Sequence, residues 1–272
     1  MAILADLHTH SSFSTDSTEP MEKMIKSAIK KGLKYICFTE HNDFGFPISE
    51  EFPEGSFVCN VDSYVYDIIL MREKYQDRIQ IGFGLEIGLQ TSVLKENLDL
   101  EAANYYDFII GSQHLVDGID IYEPSYFENK TPKEAMEQYF KAYVENIKLF
   151  KNFDAVGHID YAARRLPGGE KDYNCHDYMD YIEEILSFAI DNRKAIEVNT
   201  SQLYHNFSNP NPHFDVLKRY KEMGGELVTV GSDAHEAKNV GKCFDVAEEM
   251  LKAAGFKYYC TYTDRMASFQ KL

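Results

Sequence analysis

Nowhere in this 272-residue sequence do apolar residues run unbroken for the roughly 18 positions that a membrane-spanning helix needs. The first residues, Met1-Ala2-Ile3-Leu4-Ala5-Asp6, carry neither the basic region nor the long apolar run of a secretory signal. These two absences lead to the expectation of a soluble, cytoplasmic protein with no membrane partner. Basic residues are scarce as well. With 28 Lys and Arg against 44 Asp and Glu the formal net charge is −16, so a long nucleic-acid backbone would meet repulsion instead of counterion-releasing lysines. Small ligands remain compatible with that charge, because bound metal ions can reverse its sign locally. The five cysteines (Cys37, Cys59, Cys175, Cys243, Cys260) are odd in number, scattered, and free of C-x-x-C spacing. They read as buried or idle thiols of a reducing cytosol. Also missing are a G-x-S-x-G elbow, a phosphate-cradling P-loop and a cysteine–histidine nucleophile.

What is present is an ordinary globular composition, 44% hydrophobic and 26% charged, with 19 Tyr and 18 Phe to fill a core. Disorder is thereby excluded. The length suits one α/β barrel or two small domains, and one domain over 1–272 is the simpler reading. Short apolar runs alternate with segments of helical period from end to end, the pattern of βαβ units. Strands are expected at Ile3 to His8, Tyr35 to Thr39, Ile79 to Leu85, Phe108 to Ile110, Asp154 to Val156, Ala195 to Val198, Leu227 to Val230 and Tyr258 to Thr261. Between them, Thr18-Glu19-Pro20 reads as a helix cap with proline in the first turn, and Thr131-Pro132-Lys133-Glu134 as a capping box. Further helices are expected over about 61–75, 178–191, 214–223 and 246–254. Seven or eight such units without a linker favour a closed barrel, with a doubly wound sheet as the alternative.

In either architecture ligands bind at the carboxyl ends of the strands. Those ends carry His8-Thr9-His10, Glu40-His41, Glu86, His114, His158 and Asp233-Ala234-His235, so six of the nine histidines lie there. Side chains alternate in extended backbone, so His8 and His10 can grip one metal, as can Asp233 and His235. A single histidine at a strand end is more often a satisfied hydrogen-bonder than a ligand. Repetition at five or six ends gives the metal reading its weight. Imidazole and carboxylate without cysteine suit zinc, manganese or iron in a catalytic setting, and metal-activated water is the strong nucleophile left. Glu40 reads either as an orienter behind the ligands or as a salt-bridge partner. His176, His205 and His213 fall in helical or loop stretches and read as surface residues.

Taken together, His8-Thr9-His10, Thr39-Glu40-His41, Gly84-Leu85-Glu86, Gly157-His158-Ile159-Asp160 and Gly231-Ser232-Asp233-Ala234-His235 resemble the polymerase and histidinol phosphatase superfamily, in order across residues 8–235. The stretches Gly111 to Gly118 and Glu197 to Ser201 are similar to its histidinol-phosphate phosphatase branch. The resemblance implies a distorted (β/α)7 barrel with three divalent transition-metal ions at the carboxyl rim. It assigns His8, His10, Glu86 and Asp233 to one ion, with Glu86 bridging to a second held by His114 and His158. The third would be held by Asp16, His41 and His235. Asp16 stands where histidine is common in the superfamily, and Glu40 where aspartate is. The implied reaction is hydrolysis of a small phosphate ester, L-histidinol phosphate, by a hydroxide that the Glu86-bridged ions share.

Arg164 and Arg165, six and seven residues beyond His158, are candidates for the phosphate, since a guanidinium fork fits its oxygens; a surface salt bridge is the alternative for each. The long loop 42–56, with Phe44, Gly45, Phe46 and Pro47, reads either as a closing element or as a plain packed loop. Three rivals to the phosphatase reading are a phosphoesterase of the same superfamily acting on another small phosphate ester or on nucleotides, a non-catalytic metal-binding domain, and an amidohydrolase acting on carbon substrates, for which a bridging lysine or a different histidine pattern would be expected. The second is disfavoured because every expected ligand position holds a competent residue.

Overall fold

Apolar runs too short for helices and rich in Ile, Val, Leu and Phe form seven parallel strands. The computed structural model describes residues 3–205 and 207–272. The strands are β1 (Ala5–Thr9), β2 (Tyr35–Asn42), β3 (Gln80–Gly88), β4 (Phe108–Ser112), β5 (Ala155–Val156), β6 (Ala195–Asn199) and β7 (Val228–Gly231). They lie side by side in chain order. Nearly every residue in them is buried, because helices cover the outside while side chains fill the inside.

The sheet is nearly closed. At the carboxyl end β7 returns to β1, where the Asp233 N–H donates to the His8 carbonyl at 2.8 Å and the His10 N–H to the Ala234 carbonyl at 3.0 Å. Gly231 is required at this seam, since a Cβ there would stand 2.3 Å from that of His8. The buried Asp6 carboxylate finishes it by accepting from the Ser232 N–H (2.9 Å), the Ser232 hydroxyl (2.6 Å) and the Gly241 N–H (2.8 Å). Distortion enters at β1, whose register against β2 shifts between Asp6 and Thr9, and at β5, which is only two residues long. The expected distorted barrel of seven βα units is what the chain forms.

The helix Pro132–Leu149 opens with the capping box read from the sequence: Thr131 Oγ1 accepts from the Glu134 N–H while Glu134 accepts from the Thr131 N–H. From that helix Tyr143 reaches inward to the carbonyls of Gly111 and Gly157, tying it to β4 and the end of β5. Three expectations are corrected. The helix Met21–Lys30 begins one residue after Pro20, which is itself the N-cap, and no side chain caps it. Tyr258–Thr263 is not an eighth barrel strand but one arm of an antiparallel hairpin with Met266–Lys271. Its turn, Asp264-Arg265, has positive φ at both residues (50° and 63°), so the chain reverses instead of crossing over. The third correction is a missed helix, Leu94–Ala103, whose only buried residue is Asn97; without an apolar stripe it gave no periodic signal.

The loop after β2 is a packed wall. The Asp43 N–H donates to the Phe57 carbonyl at 2.7 Å, the Phe57 N–H to Thr15 Oγ1 at 2.9 Å, and the rings of Phe46, Phe52 and Phe57 cluster with centroids 4.2 to 5.6 Å apart. Among the described residues no helix is long and apolar enough to cross a membrane, and all five cysteines are free.

Candidate active site

The carboxyl ends of the strands deliver their histidines and carboxylates to one point, and Glu86 is its centre. As the seventh residue of β3, with 0% exposure, it offers both oxygens to rings arriving from other strands. Its Oε2 lies 3.2 Å from His8 Nε2 and 3.5 Å from His10 Nε2. Asp233 Oδ1 stands 3.5 and 3.4 Å from the same two nitrogens. Glu86 Oε1 faces His158 Nε2 at 2.9 Å and His114 Nε2 at 3.3 Å, and those two nitrogens are 3.4 Å apart. A third group sits nearer the surface, where Asp16 Oδ2 is 3.1 Å from His235 Nε2 and 3.6 Å from His41 Nε2. His10 links the groups, its ring stacked between those of His41 (4.3 Å) and His235 (4.2 Å). All nine residues expected at the site are therefore brought together. Asp16 is the most open of them, its side chain 39% exposed.

The rings of His8, His10 and His114 are each aimed by a partner on the far side, as is usual for ligand histidines. Glu197 takes His8 Nδ1 at 2.5 Å through one oxygen and the His158 N–H at 2.8 Å through the other. Asp43 takes His114 Nδ1 at 2.7 Å. Ser14 Oγ lies 3.0 Å from His10 Nδ1 and donates to Glu40 at 2.5 Å, while Ser11 donates to the other Glu40 oxygen. Glu40 is thus the buried anchor of the His10 support, held by serines and, among the described residues, in no ion pair. Ser112 donates to Glu86 Oε1 at 2.7 Å. Asp233 is held in left-handed backbone, φ 52°, and Tyr204 donates its hydroxyl to the carbonyls of Ser232 and Asp233. Aspartate tolerates that conformation better than most residues; here it turns the Asp233 carboxylate to the two β1 histidines.

Electrostatics divide the rings. Burial, with His235 and His41 close by, lowers His10 to about 3, so it is neutral. Burial also works against charge on His8, His41 and His114, but the carboxylates facing them outweigh it: Glu197, Glu86 and Asp233 at His8, Asp16 and Glu86 at His41, and Asp43 and Glu86 at His114. All three end well above the usual imidazole value. Burial would raise Glu86, yet His8, His114 and His41 hold it well below the carboxylate range; His41 and His235 do the same for Asp16.

Beside the cluster opens a cavity of about 520 Å³, walled by Phe46, Phe57, Asp120, Tyr161, Arg164 and Tyr204 among others. Arg164 stacks on the Tyr161 ring at 3.9 Å, reaches Ser201 Oγ at 3.5 Å, and buries its Nε without a protein partner. Arg165 points elsewhere, stacking on Tyr122 at 3.7 Å and donating twice to the Tyr122 carbonyl, outside the cavity wall. His176 and His205 are exposed as expected, whereas His213 is half-buried and accepts from the Asp215 N–H at the start of helix Phe214–Glu222. The sequence reading missed the aiming roles of Asp43, Glu197, Ser14 and Ser112. A signal existed for two of them: Asp43 follows His41 by two positions, and Glu197 is a lone charge inside the apolar strand β6.

Comparison with known proteins agrees with this geometry. The family model described as PHP domain matches residues 6–201. A Clostridium acetobutylicum protein named “probable histidinol-phosphatase” is 33% identical over 252 residues, 93% of this chain and 94% of that one. A histidinol-phosphatase of Lactococcus lactis is 32% identical over 95% of this chain and 94% of its own. Among solved structures, that of histidinol phosphate phosphatase from Lactococcus lactis complexed with zinc, L-histidinol and phosphate superposes with a TM-score of 0.87 at 31% identity, covering 98% of this chain and 99% of that one.

Proposed function

The chain belongs to the PHP domain family, and on that footing we propose that it is a histidinol-phosphatase, a hydrolase that splits L-histidinol phosphate into L-histidinol and phosphate in histidine biosynthesis. The observation that carries the reading is Glu86, a fully buried carboxylate with five imidazoles within 3.5 Å, in a cluster whose His41, His114 and His235 line a cavity that also carries the Arg164 guanidinium.

The donor set fits metal ions. Ring nitrogens of His8 and His10 face each other at 3.1 Å, and those of His114 and His158 at 3.4 Å, so each pair can share a proton or, with the proton displaced, turn both lone pairs to one metal ion. Glu86 Oε2, His41 Nδ1 and His235 Nε2 are buried without a hydrogen-bond partner. Three ions are assigned as the sequence suggested: one to His8, His10, Glu86 and Asp233, one to Glu86, His114 and His158, and one to Asp16, His41 and His235. Zinc suits this set, and manganese and iron share its ligand preference. Bound there, the ions would supply Lewis acidity and lower the pKa of water enough to give phosphorus a nucleophile near neutrality. The chain does the rest. Glu86 holds two sites at a fixed spacing, Glu197 and Asp43 fix the rings of His8 and His114, and Arg164 binds a phosphate oxygen while keeping its charge permanently. Arg165 braces the Tyr122 wall.

We read residues 1–272 as one such domain, since the hairpin after the barrel returns to it: the Leu4 N–H donates to Tyr259 at 3.0 Å, and Arg265 pairs with Asp154 and Glu101. The free, mostly buried thiols suit the cytoplasm. A phosphate-release assay over a panel of phosphomonoesters and mononucleotides, with metal analysis of the same sample, tests the function. Histidinol phosphate should be preferred by several orders of magnitude in kcat/KM; a flat profile, or another ester at the top, would sink the assignment.

The raised histidines give a second expectation. Without ions the carboxylates keep His8, His41 and His114 protonated through neutral pH, so binding must displace protons. The sign follows: affinity rises with pH as long as those protons are there to lose. Zinc affinity measured against a competing chelator should climb by about tenfold or more per pH unit between about pH 6 and 8, and activity at limiting metal should fall toward pH 5. An affinity independent of pH would contradict the protonation states described.

A further inference from the structure

Away from the cluster, two loops of the same rim meet over a second set of metal-binding side chains. The loop after β5 carries Arg164 and runs on to the short turn Cys175–Tyr178. The loop after β6 carries Ser201 and ends at His213, the N-cap of the helix Phe214–Glu222. Where the loops touch, Cys175 Sγ lies 3.5 Å from His213 Nδ1, and Asp215 Oδ2 lies 3.7 Å from that same nitrogen. The ligand atoms of these three residues all fall within 4.8 Å of one another. On the exposed side His176 Nε2 stands 3.1 Å from Asp215 Oδ2. The spacing is that of a coordination shell. Zinc bonds of about 2.3 Å to sulfur and about 2.0–2.1 Å to nitrogen, at the tetrahedral angle, put those two atoms about 3.5 Å apart, as Cys175 and His213 stand. The nitrogen is ready to bind: it accepts from the Asp215 N–H at 3.1 Å, so a lone pair and not a proton faces the sulfur. The His213 backbone is fixed from behind, its N–H donating to the buried Asp160 at 2.9 Å. The sulfur is ready too. Cys175 is 1% exposed, and burial, with the carboxylates of Asp160 and Asp215 near it, pushes its thiol up to about 12. Against that, the N–H groups of Cys175 and His176 point at the sulfur and favour the thiolate. What this thiolate lacks is a cation.

We propose that Cys175, His213 and Asp215 form a metal site separate from the catalytic cluster, which takes a zinc-class ion and ties the loop after β5 to the loop after β6. His176 closes the fourth position from the exposed side. A thiolate, an imidazole and one carboxylate select zinc, cobalt and similar borderline ions over magnesium, calcium and manganese, which prefer oxygen. The catalytic cluster has no sulfur and sets no such condition. Binding releases the thiol proton, and the ion takes the place between sulfur and nitrogen that the proton held. Arg164 and Ser201, 3.5 Å apart in the cavity wall, stand on the same two loops. The ion therefore braces that wall from outside without touching substrate.

The test uses the sulfur as its signature, since cobalt bound to a thiolate absorbs in the near ultraviolet by charge transfer and cobalt held only by nitrogen and oxygen does not. Manganese-loaded protein, kept reduced, is titrated with cobalt(II). A charge-transfer band should grow to one equivalent per chain, vanish when zinc is added, and withstand an excess of magnesium. Cys175→Ser should abolish the band, whereas Cys243→Ser, at the other cysteine that is not fully buried, should leave it intact. Asp215→Asn, a change at a partly exposed position, should weaken cobalt affinity by about tenfold or more, which keeps the proposal testable should Cys175→Ser fail to fold. The bracing is read by proteolysis: zinc should slow cleavage within residues 166–178 of the manganese-loaded protein by about tenfold or more, and should not do so in Cys175→Ser. No band in the unaltered protein, a band that survives Cys175→Ser, or an affinity untouched by Asp215→Asn overturns the site. A band with cleavage unaffected by zinc overturns the bracing. Neither result bears on phosphate release, so the site and the functional reading stand or fall separately.

Discussion

Glu86→Gln should strip the protein of more metal than any other single ligand change and bring kcat down with it. The side chain is fully buried, and its two oxygens face different histidine groups, His8 and His10 through one and His114 and His158 through the other. An amide keeps the shape but exchanges a full charge for a weak dipole, and does so for two ions at once. Loss of an outer hydrogen-bond partner of a ligand costs roughly 10- to 100-fold in metal affinity or activity, so the loss here should exceed about a hundredfold. Metal counts and single-turnover rates on the purified variant decide it: full metal content with near-normal kcat would remove Glu86 from the bridging role.

The second large effect concerns Arg164. Stacked on Tyr161 and within reach of Ser201, its guanidinium is already ordered in the cavity wall with the Nε edge uncommitted. Little entropy is left to lose when phosphate arrives. Arg164→Ala should cost roughly 2–4 kcal/mol of transition-state stabilisation, about thirtyfold to a thousandfold in kcat/KM, with metal content unchanged. Arg164→Lys should recover part of this, because an ammonium restores charge without the planar fork. Arg165→Ala should be mild, since that side chain is spent on the Tyr122 carbonyl. Wild-type kcat/KM in Arg164→Ala would move the phosphate clamp to another loop.

The site was legible in the sequence to the extent that it repeats. His8, His10, His41, His114, His158 and His235 each follow a short apolar run, and the fold turns that rhythm into convergence at one rim. The partners behind them repeat nothing. Asp43 lies in a loop crowded with phenylalanine, Ser14 is one of several serines between β1 and the first helix, and the relation of Glu197 to His8 spans 189 positions, a pairing that only barrel closure creates. Strand identity was legible for the same reason that strand number was not: Tyr258 to Thr261 has the composition of a barrel strand, and only the two-residue turn after Thr263 sends it back on itself. The helix Leu94–Ala103 escaped because a helix that buries almost nothing leaves no period to read.

The seam between the first and last barrel strands has a consequence for how the protein comes together and apart. The partners that close it, Asp6 and Ser232, are 226 positions apart in the chain, so almost the whole polypeptide must be in place before they meet, and contacts of such separation form late. His8 and His10 stand on one side of that join and Asp233 on the other. An ion gripped by all three, as proposed, would be a rivet across the last gap to close, complete only in the closed ring. It would add little to the early steps of assembly, and its stabilisation would fall chiefly on the folded state. Held in this way, the barrel should open slowly from its catalytic rim when loaded and quickly when stripped, with the site acting as the clasp of the fold that displays it.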